Sequence, residues 1–194
     1  MILYCFIFFF KNLHKINYIH DMMKNLGYPH YYIILGHNKT LINPKKKIIF
    51  LNCDDSYEGL PNKMVELFKF LSTSKFFKDY THFFKADDDI MINKIIDYSK
   101  LEGDYLGTIQ DYEGKRNWHI GKCSPNSVWN KKIYKGEYVP WCKGGYGYIL
   151  SRKAINVVGN YNENYDDEIY EDLLIGKILL KSDIQPVILN GFHF

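Results

Sequence analysis

Three consecutive carboxylates, Asp87, Asp88 and Asp89, follow directly on the apolar stretch 81–86. Carboxylates this close repel one another unless a cation or solvent relieves them. Hard divalent cations take oxygen ligands and keep waters and substrate phosphates in their shell. An Asp-x-Asp at a strand end therefore suits a metal that bridges to a diphosphate and stabilises the charge on a departing nucleotide. The bland alternative is a solvated acidic turn. Against it stand the flanks, Phe83-Phe84-Lys85-Ala86 before the triplet and Ile90-Met91-Ile92 after it, which hold the acids between apolar segments.

Three further places carry candidate chemistry. Trp141-Cys142-Lys143-Gly144-Gly145-Tyr146-Gly147-Tyr148 sets small residues beside large aromatics. Glycines let a backbone approach a ligand closely, and aromatics offer flat faces to sugars; a tight turn among core tyrosines would look the same. Asp166, Asp167, Glu168, Glu171 and Asp172 cluster at the start of a late apolar-periodic segment. The helix dipole favours acids there, but one of them could take a proton from an attacking hydroxyl. Spacing does not choose among the five. His193 stands between Phe192 and Phe194, where a packed surface histidine is commoner than a ligand.

These residues need a scaffold, and the chain alternates strand and helix signals. Residues 2–10 form a continuous apolar run, as in a strand buried on both faces. Leu13, Ile16, Ile19, Met23 and Leu26 recur at helical spacing, with Gly27 where a C-terminal cap belongs. Strands are expected at 31–35, 47–51 and 81–86. Between the last two, Leu60, Met64, Leu67, Phe68 and Leu71 mark an amphipathic helix with Pro61 in its first turn. Further strands are expected at 105–110, 146–150 and 186–189. Ser151 caps a short helix ending near Gly159, and a last helix spans 168–180. Residues 111–138 read as a long loop with a hairpin. The pattern predicts an α/β fold with a mixed, mostly parallel sheet, in which ligands bind beyond the carboxyl ends of the strands. The three aspartates sit at such an end.

The 194 residues fit one domain, and neither a repeat nor a linker divides them. A net charge of +3 demands no polyanionic partner, and the lysine run 45–47 reads as a solvated turn, so nucleic acid is not an expected partner. Cys5, Cys53, Cys123 and Cys142 form neither a CxxC pair nor a zinc spacing. The apolar start is too short for a bilayer span, which needs about 20 residues. No GxxxxGK[ST] and no GxGxxG after the first strand is present. Phe9-Phe10-Lys11-Asn12 stands where phosphatases of the haloacid dehalogenase type carry their early Asp-x-Asp.

Taken in order, several segments resemble the β-1,3-galactosyltransferase and Fringe superfamily, glycosyltransferase family 31. Tyr32-Ile33-Ile34-Leu35-Gly36 looks like the family's "FxLG". Residues 52–63, Asn52-Cys53-Asp54-Asp55-Ser56-Tyr57 onward to Lys63, look like "DFxDSYxNLTLK". Residues 84–93 resemble "xxKxDDDxFVN", residues 138–151 "YPxYCSGGGYVLS", and Tyr170-Glu171-Asp172-Leu173-Leu174-Ile175-Gly176 "xEDVYVG".

The resemblance implies a single GT-A domain, residues 1–92 forming a nucleotide-binding half and 93–194 an acceptor and catalytic half. It implies an inverting transfer from a UDP-sugar donor to a hydroxyl of a glycan or glycoprotein acceptor, with manganese or magnesium as cofactor. Asp89 would ligate the metal, joined by His193, which matches a C-terminal metal-binding histidine of Fringe-like members. Asp87 and Asp88 would contact the nucleotide sugar or the metal's water shell, Asp172 would be the general base, and Gly144 and Gly145 would line the donor and acceptor site. The family's stem, membrane anchor and "RxxxRxTW" segment have no counterpart, and Glu58-Gly59-Leu60 replaces the "NLT" asparagine. The expectation is a soluble, cytoplasmic protein with no transmembrane anchor and a short acceptor loop. Two alternatives remain open: a metal-dependent nucleotide-sugar hydrolase or nucleotidyltransferase, disfavoured because residues 11–15 lack the glycine-rich loop those enzymes carry, and a catalytically silent relative that binds glycans or chaperones a partner.

Overall fold

The computed structural model describes residues 1–189. Eight strands form the main sheet: β1 (Ile2–Ile7), β2 (Tyr31–His37), β3 (Leu41–Asn43), β4 (Ile48–Asn52), β5 (His82–Asp87), β6 (Tyr105–Gly107), β9 (Tyr148–Ser151) and β10 (Val187–Ile188). Their order is β10-β6-β9-β5-β1-β2-β4-β3. Neighbours pair in parallel across β10–β6, β5–β1, β1–β2 and β2–β4. β9 runs antiparallel between β5 and β6, and β3 runs antiparallel along the edge at β4. The expected mixed, mostly parallel α/β sheet is what forms, and strands from both halves of the chain build it.

Period-two alternation along β1 divides the core. Leu3, Cys5 and Ile7 pack on one side with α2 (Leu60–Thr73), α3 (Arg152–Gly159) and α4 (Glu171–Leu180). Ile2, Tyr4 and Phe6 pack on the other with Ile19, Met22 and Met23 of α1 (Ile16–Asn25). Layers on both faces explain why β1 is apolar throughout. The local signals act as read: Gly27 leaves α1 at φ 62, Pro61 lies in the first turn of α2, and the Ser151 hydroxyl accepts from the Ala154 N–H to cap α3.

The differences from expectation have physical causes. β1 ends at Ile7, because residues 10–15 wind into a 3-10 turn whose Asn12 and Lys15 bind Asp88. The expected strand 105–110 breaks after β6. Its second part, β7 (Ile109–Gln110), leaves the main sheet and pairs with β8 (Trp141–Cys142). No strand lies within 111–138, so the expected hairpin is absent. That segment is fastened by side chains instead, with Arg116 donating to the Tyr134 and Gly136 carbonyls at 3.1 and 3.0 Å. Residues 144–146 form a 3-10 turn ahead of β9, and α4 begins at Glu171 rather than 168. The edge strand β3, too short to show a period, had not been expected. Among the described residues no helix is long and apolar enough to cross a membrane.

Candidate active site

A cleft of about 750 Å³ opens beyond the carboxyl end of β5. Asp87 and Asp89 line it from one side, Gly144, Gly145, Glu171 and Asp172 from another, and Trp118 and Tyr112 from the long loop. With Tyr57 and Leu60, five separate segments of the sequence thus meet at one place. A second cleft of about 440 Å³ adjoins it at the ends of β1 and β4, lined by Lys11, Asp54, Asp55 and Ser56 and sharing Tyr57 and Lys122 with the first.

The acidic triplet divides by role. Asp87 ends β5 and takes an ion pair from Lys85 at 2.6 Å. Asp88 is buried, and its two oxygens accept from Asn12 Nδ2 at 2.5 Å and Lys15 Nζ at 2.8 Å. That bond holds the Lys15 ammonium more firmly protonated than usual. Asp88 thus anchors the turn after β1 and is not among the residues lining the cleft. Asp89 is exposed, and no hydrogen bond or ion pair occupies its carboxylate among the described residues. His193 lies outside the described residues.

Lys85 is the one charge in an otherwise apolar strand core, at 2 % exposure. Its Nζ lies 2.6 Å from Asp87, 2.7 Å from Glu171 and 3.2 Å from the Gly144 carbonyl. Burial disfavours its charge, but the two carboxylates outweigh that and keep it protonated. Glu171 also accepts from the Tyr148 hydroxyl at 3.0 Å; burial pushes its carboxyl up to about 7, with Lys85 pulling the other way. Every polar group in this buried chain therefore has a partner, as burial demands.

The five late acids separate in the same way, with Asp166 exposed and outside the cleft. Asp167 pairs with Lys132, and Glu168 with Lys177 and the Tyr134 hydroxyl. Glu171 is closed into the Lys85 pair. Asp172 borders the cleft with its Oδ2 accepting from the Gly144 N–H at 2.8 Å and Trp141 Nε1 at 3.2 Å. Its Oδ1 accepts from the Leu173 N–H at 2.9 Å. The glycines differ too. A Cβ on Gly144 would come 2.5 Å from the Glu171 carboxylate, whereas one on Gly145 would meet nothing within 4 Å. Gly147 turns the chain at φ 74 against the Phe84 ring.

The segment around Asp55 is likewise a structural knot. Asp55 accepts from the Phe10 and Gly36 N–H groups and from Lys63, whose fully buried ammonium also reaches the Phe8 carbonyl at 3.0 Å. An aspartate and a lysine eight residues apart thereby tie β1, β2 and α2 together beside the second cleft.

A family model for galactosyltransferases matches residues 42–190. The chain belongs to the galactosyltransferase family. The match spans most of the motifs on which the resemblance rested and makes the chain a glycosyltransferase. No curated protein sequence matches this galactosyltransferase-family chain significantly. Among solved structures, a putative glucose-1-phosphate thymidylyltransferase from Bacillus anthracis, crystallised with sucrose, aligns over 99% of this chain and 88% of its own with a TM-score of 0.51 at 9% identity. At that identity the likeness concerns the α/β fold alone.

Sequence reasoning passed over Lys85 as a site residue, named Glu171 only as one of five candidate acids, and named Trp141 only as part of an aromatic segment, with no bond to Asp172 foreseen. Lys85 had a usable signal, a lysine inside an apolar strand, because such a charge needs buried counter-charges. Trp141 had none, since its bond to Asp172 exists only through the packing of β8 on α4.

Proposed function

We propose that this family member transfers a hexose with inversion from a UDP-sugar to an acceptor hydroxyl, through a β-1,3-type linkage as in the family it belongs to. The observation that carries the reading is the placement of Asp172 in the same cleft as Asp87 and Asp89. Asp172 takes the proton of the acceptor hydroxyl; that oxygen bonds to the anomeric carbon as the bond from that carbon to the UDP diphosphate breaks on the opposite face. The Gly144 and Trp141 donors fix the orientation of the carboxylate before the acceptor arrives.

Among the described residues no three His, Cys, Asp or Glu side chains converge on one point. Manganese or magnesium is nevertheless compatible with one or two carboxylates when substrate phosphates and waters complete the shell. Asp89, with its unengaged carboxylate, would hold the ion, and Asp87 would border it. When bound, such an ion supplies charge neutralisation for the departing diphosphate. The second cleft, at the carboxyl ends of β1 and β4, suits the nucleotide. The reading takes residues 1–92 as the nucleotide half and 93–194 as the acceptor half, although residues 122–125 also line the second cleft. The acceptor in this reading is a glycan or glycoprotein.

A thermal-shift panel of UDP, GDP and UDP-sugars, with and without manganese, tests the reading. A ligand at 100 times its Kd adds about 2.7 kcal/mol to the folded state. Stabilisation by a UDP compound only with metal, abolished in Asp89→Ala, is the expected result. In Asp172→Asn we expect that stabilisation to remain while turnover falls about 10²–10⁴-fold. Absence of any nucleotide effect, with or without metal, would leave a silent glycan-binding relative.

A further inference from the structure

Trp118 stands 53% exposed in the wall of the first cleft, while Trp129 and Trp141 are buried. Its exposure is not the looseness of a surface loop. The Trp118 backbone N–H donates to the Tyr170 hydroxyl at 3.1 Å, and that hydroxyl lies 2.9 Å from both the Lys115 carbonyl and His119 Nδ1. His119, at 0% exposure, donates from Nε2 to the Lys132 carbonyl at 2.8 Å. Tyr170 immediately precedes Glu171 and Asp172. One hydroxyl thus fixes the backbone that carries the indole relative to the carboxylate read as the base.

The charges around this shelf are unbalanced. Lys122 Nζ sits 3.8 Å from the centre of the Trp118 ring and Lys115 Nζ 5.3 Å. Among the described residues neither lysine is paired with a carboxylate, whereas the neighbouring Glu113 is taken by Arg116. Partial burial without a counter-charge lowers the Lys122 ammonium's hold on its proton. The half-exposed indole suits the CH face of a pyranose, and the two ammoniums over its ring, neither held by a carboxylate among the described residues, suit an anion.

We infer that Trp118, Lys115 and Lys122 form the acceptor subsite, and that the acceptor is a sugar carrying an anionic group, a carboxylate or a sulfate. The assignment of this side to the acceptor rests on the transferase reading above. The pyranose lies on the indole; its anionic group pairs with the lysines; its free hydroxyl points toward Asp172. The donor diphosphate is the other anion that could meet these lysines, and it would do so without needing the indole.

The test uses the whole chain and its own fluorescence, because Trp118 is the exposed tryptophan. Methyl β-glucuronide and methyl β-glucoside 6-sulfate are titrated against neutral methyl β-glucoside. At least one anionic glycoside is expected to bind about tenfold or more tightly than the neutral one, as a charge-assisted contact implies. Lys115→Gln combined with Lys122→Gln should reduce the anionic glycosides to the neutral one's affinity. Trp118→Ala, followed by thermal shift under glycoside, should lose all three, and Trp118→Phe should recover part. UDP with manganese should stabilise Trp118→Ala as it does the unaltered chain. The inference is overturned if neither anionic glycoside binds more tightly than the neutral one, absence of all binding included. It is also overturned if the lysine variant loses UDP binding while keeping the glycoside preference, which would give the lysines to the donor. A chain that binds anionic glycosides at Trp118 but no UDP would retain the subsite and sink the transferase reading alone.

Discussion

The Lys85 ammonium lies 2.7 Å from the Glu171 carboxylate, at the junction of β5 and α4, with both side chains almost wholly buried. The same ammonium holds Asp87 at 2.6 Å, so a single cation joins the strand that ends in the acidic triplet to the helix that carries Asp172. Removing one partner of a buried pair leaves an uncompensated charge, which costs far more than the pair itself contributes. Lys85→Met should therefore destabilise the fold by about 3–5 kcal/mol when measured by urea unfolding at a pH where both carboxylates are ionised. A loss under about 1 kcal/mol would mean that water reaches the carboxylates and the pair is not closed off.

Glu171 gives a pH signature. Its carboxyl is pushed up to about 7, chiefly by burial, from an ordinary value of 4.5. The folded state then holds this proton more firmly than the unfolded chain does. The contribution is fully present below the ordinary value and is lost as the pH climbs to about 7. Chemical denaturation across that window should show stability falling with pH, and Glu171→Gln should flatten that part of the profile. An unchanged slope in the variant would assign it to another group.

Gly147 and Gly145 should respond differently to alanine. At Gly147 the backbone is left-handed, φ 74, and a Cβ would stand 2.6 Å from the Phe84 ring and 2.9 Å from the Lys85 carbonyl. Gly147→Ala is expected to cost about 1–3 kcal/mol in urea melts. Gly145→Ala meets open space and should stay within about 0.5 kcal/mol. Equal stability of the two variants would contradict the geometry of this turn.

Neighbouring aspartates should separate stability from binding. Asp88→Ala leaves Asn12 and Lys15 without their acceptor and should destabilise the fold by about 1–3 kcal/mol. Asp89→Ala removes no contact made among the described residues, so its melting temperature should hold while metal-dependent UDP stabilisation disappears. If the two variants exchanged behaviour, the division of the triplet would be wrong.

The sequence by itself determined a good deal about this protein. Periodicity and punctuation placed the main helices and most strands, because apolar spacing, Gly27, Pro61 and Ser151 act within a few residues of themselves. The order of motifs pointed to the galactosyltransferase family, and the family match over 42–190 bears that out. What lay beyond a local pattern was not legible. The edge strand β3 and the β7–β8 pair are each only two or three residues long, and their partners, not their own side chains, make them strands. The division of three equivalent aspartates into an anchored one, a paired one and an open one depended on Asn12 and Lys15 arriving from the turn after β1, and on Lys85 lying on the same side of β5 as Asp87. So did the separation of Asp172 from Asp167, Glu168 and Glu171, since Lys132 and Lys177 engage Asp167 and Glu168, while Lys85 closes off Glu171. Side-chain chemistry is written residue by residue, but whether a carboxylate is free to work is set by which opposite charge lies within about 3 Å, and only the packing of distant segments decides that.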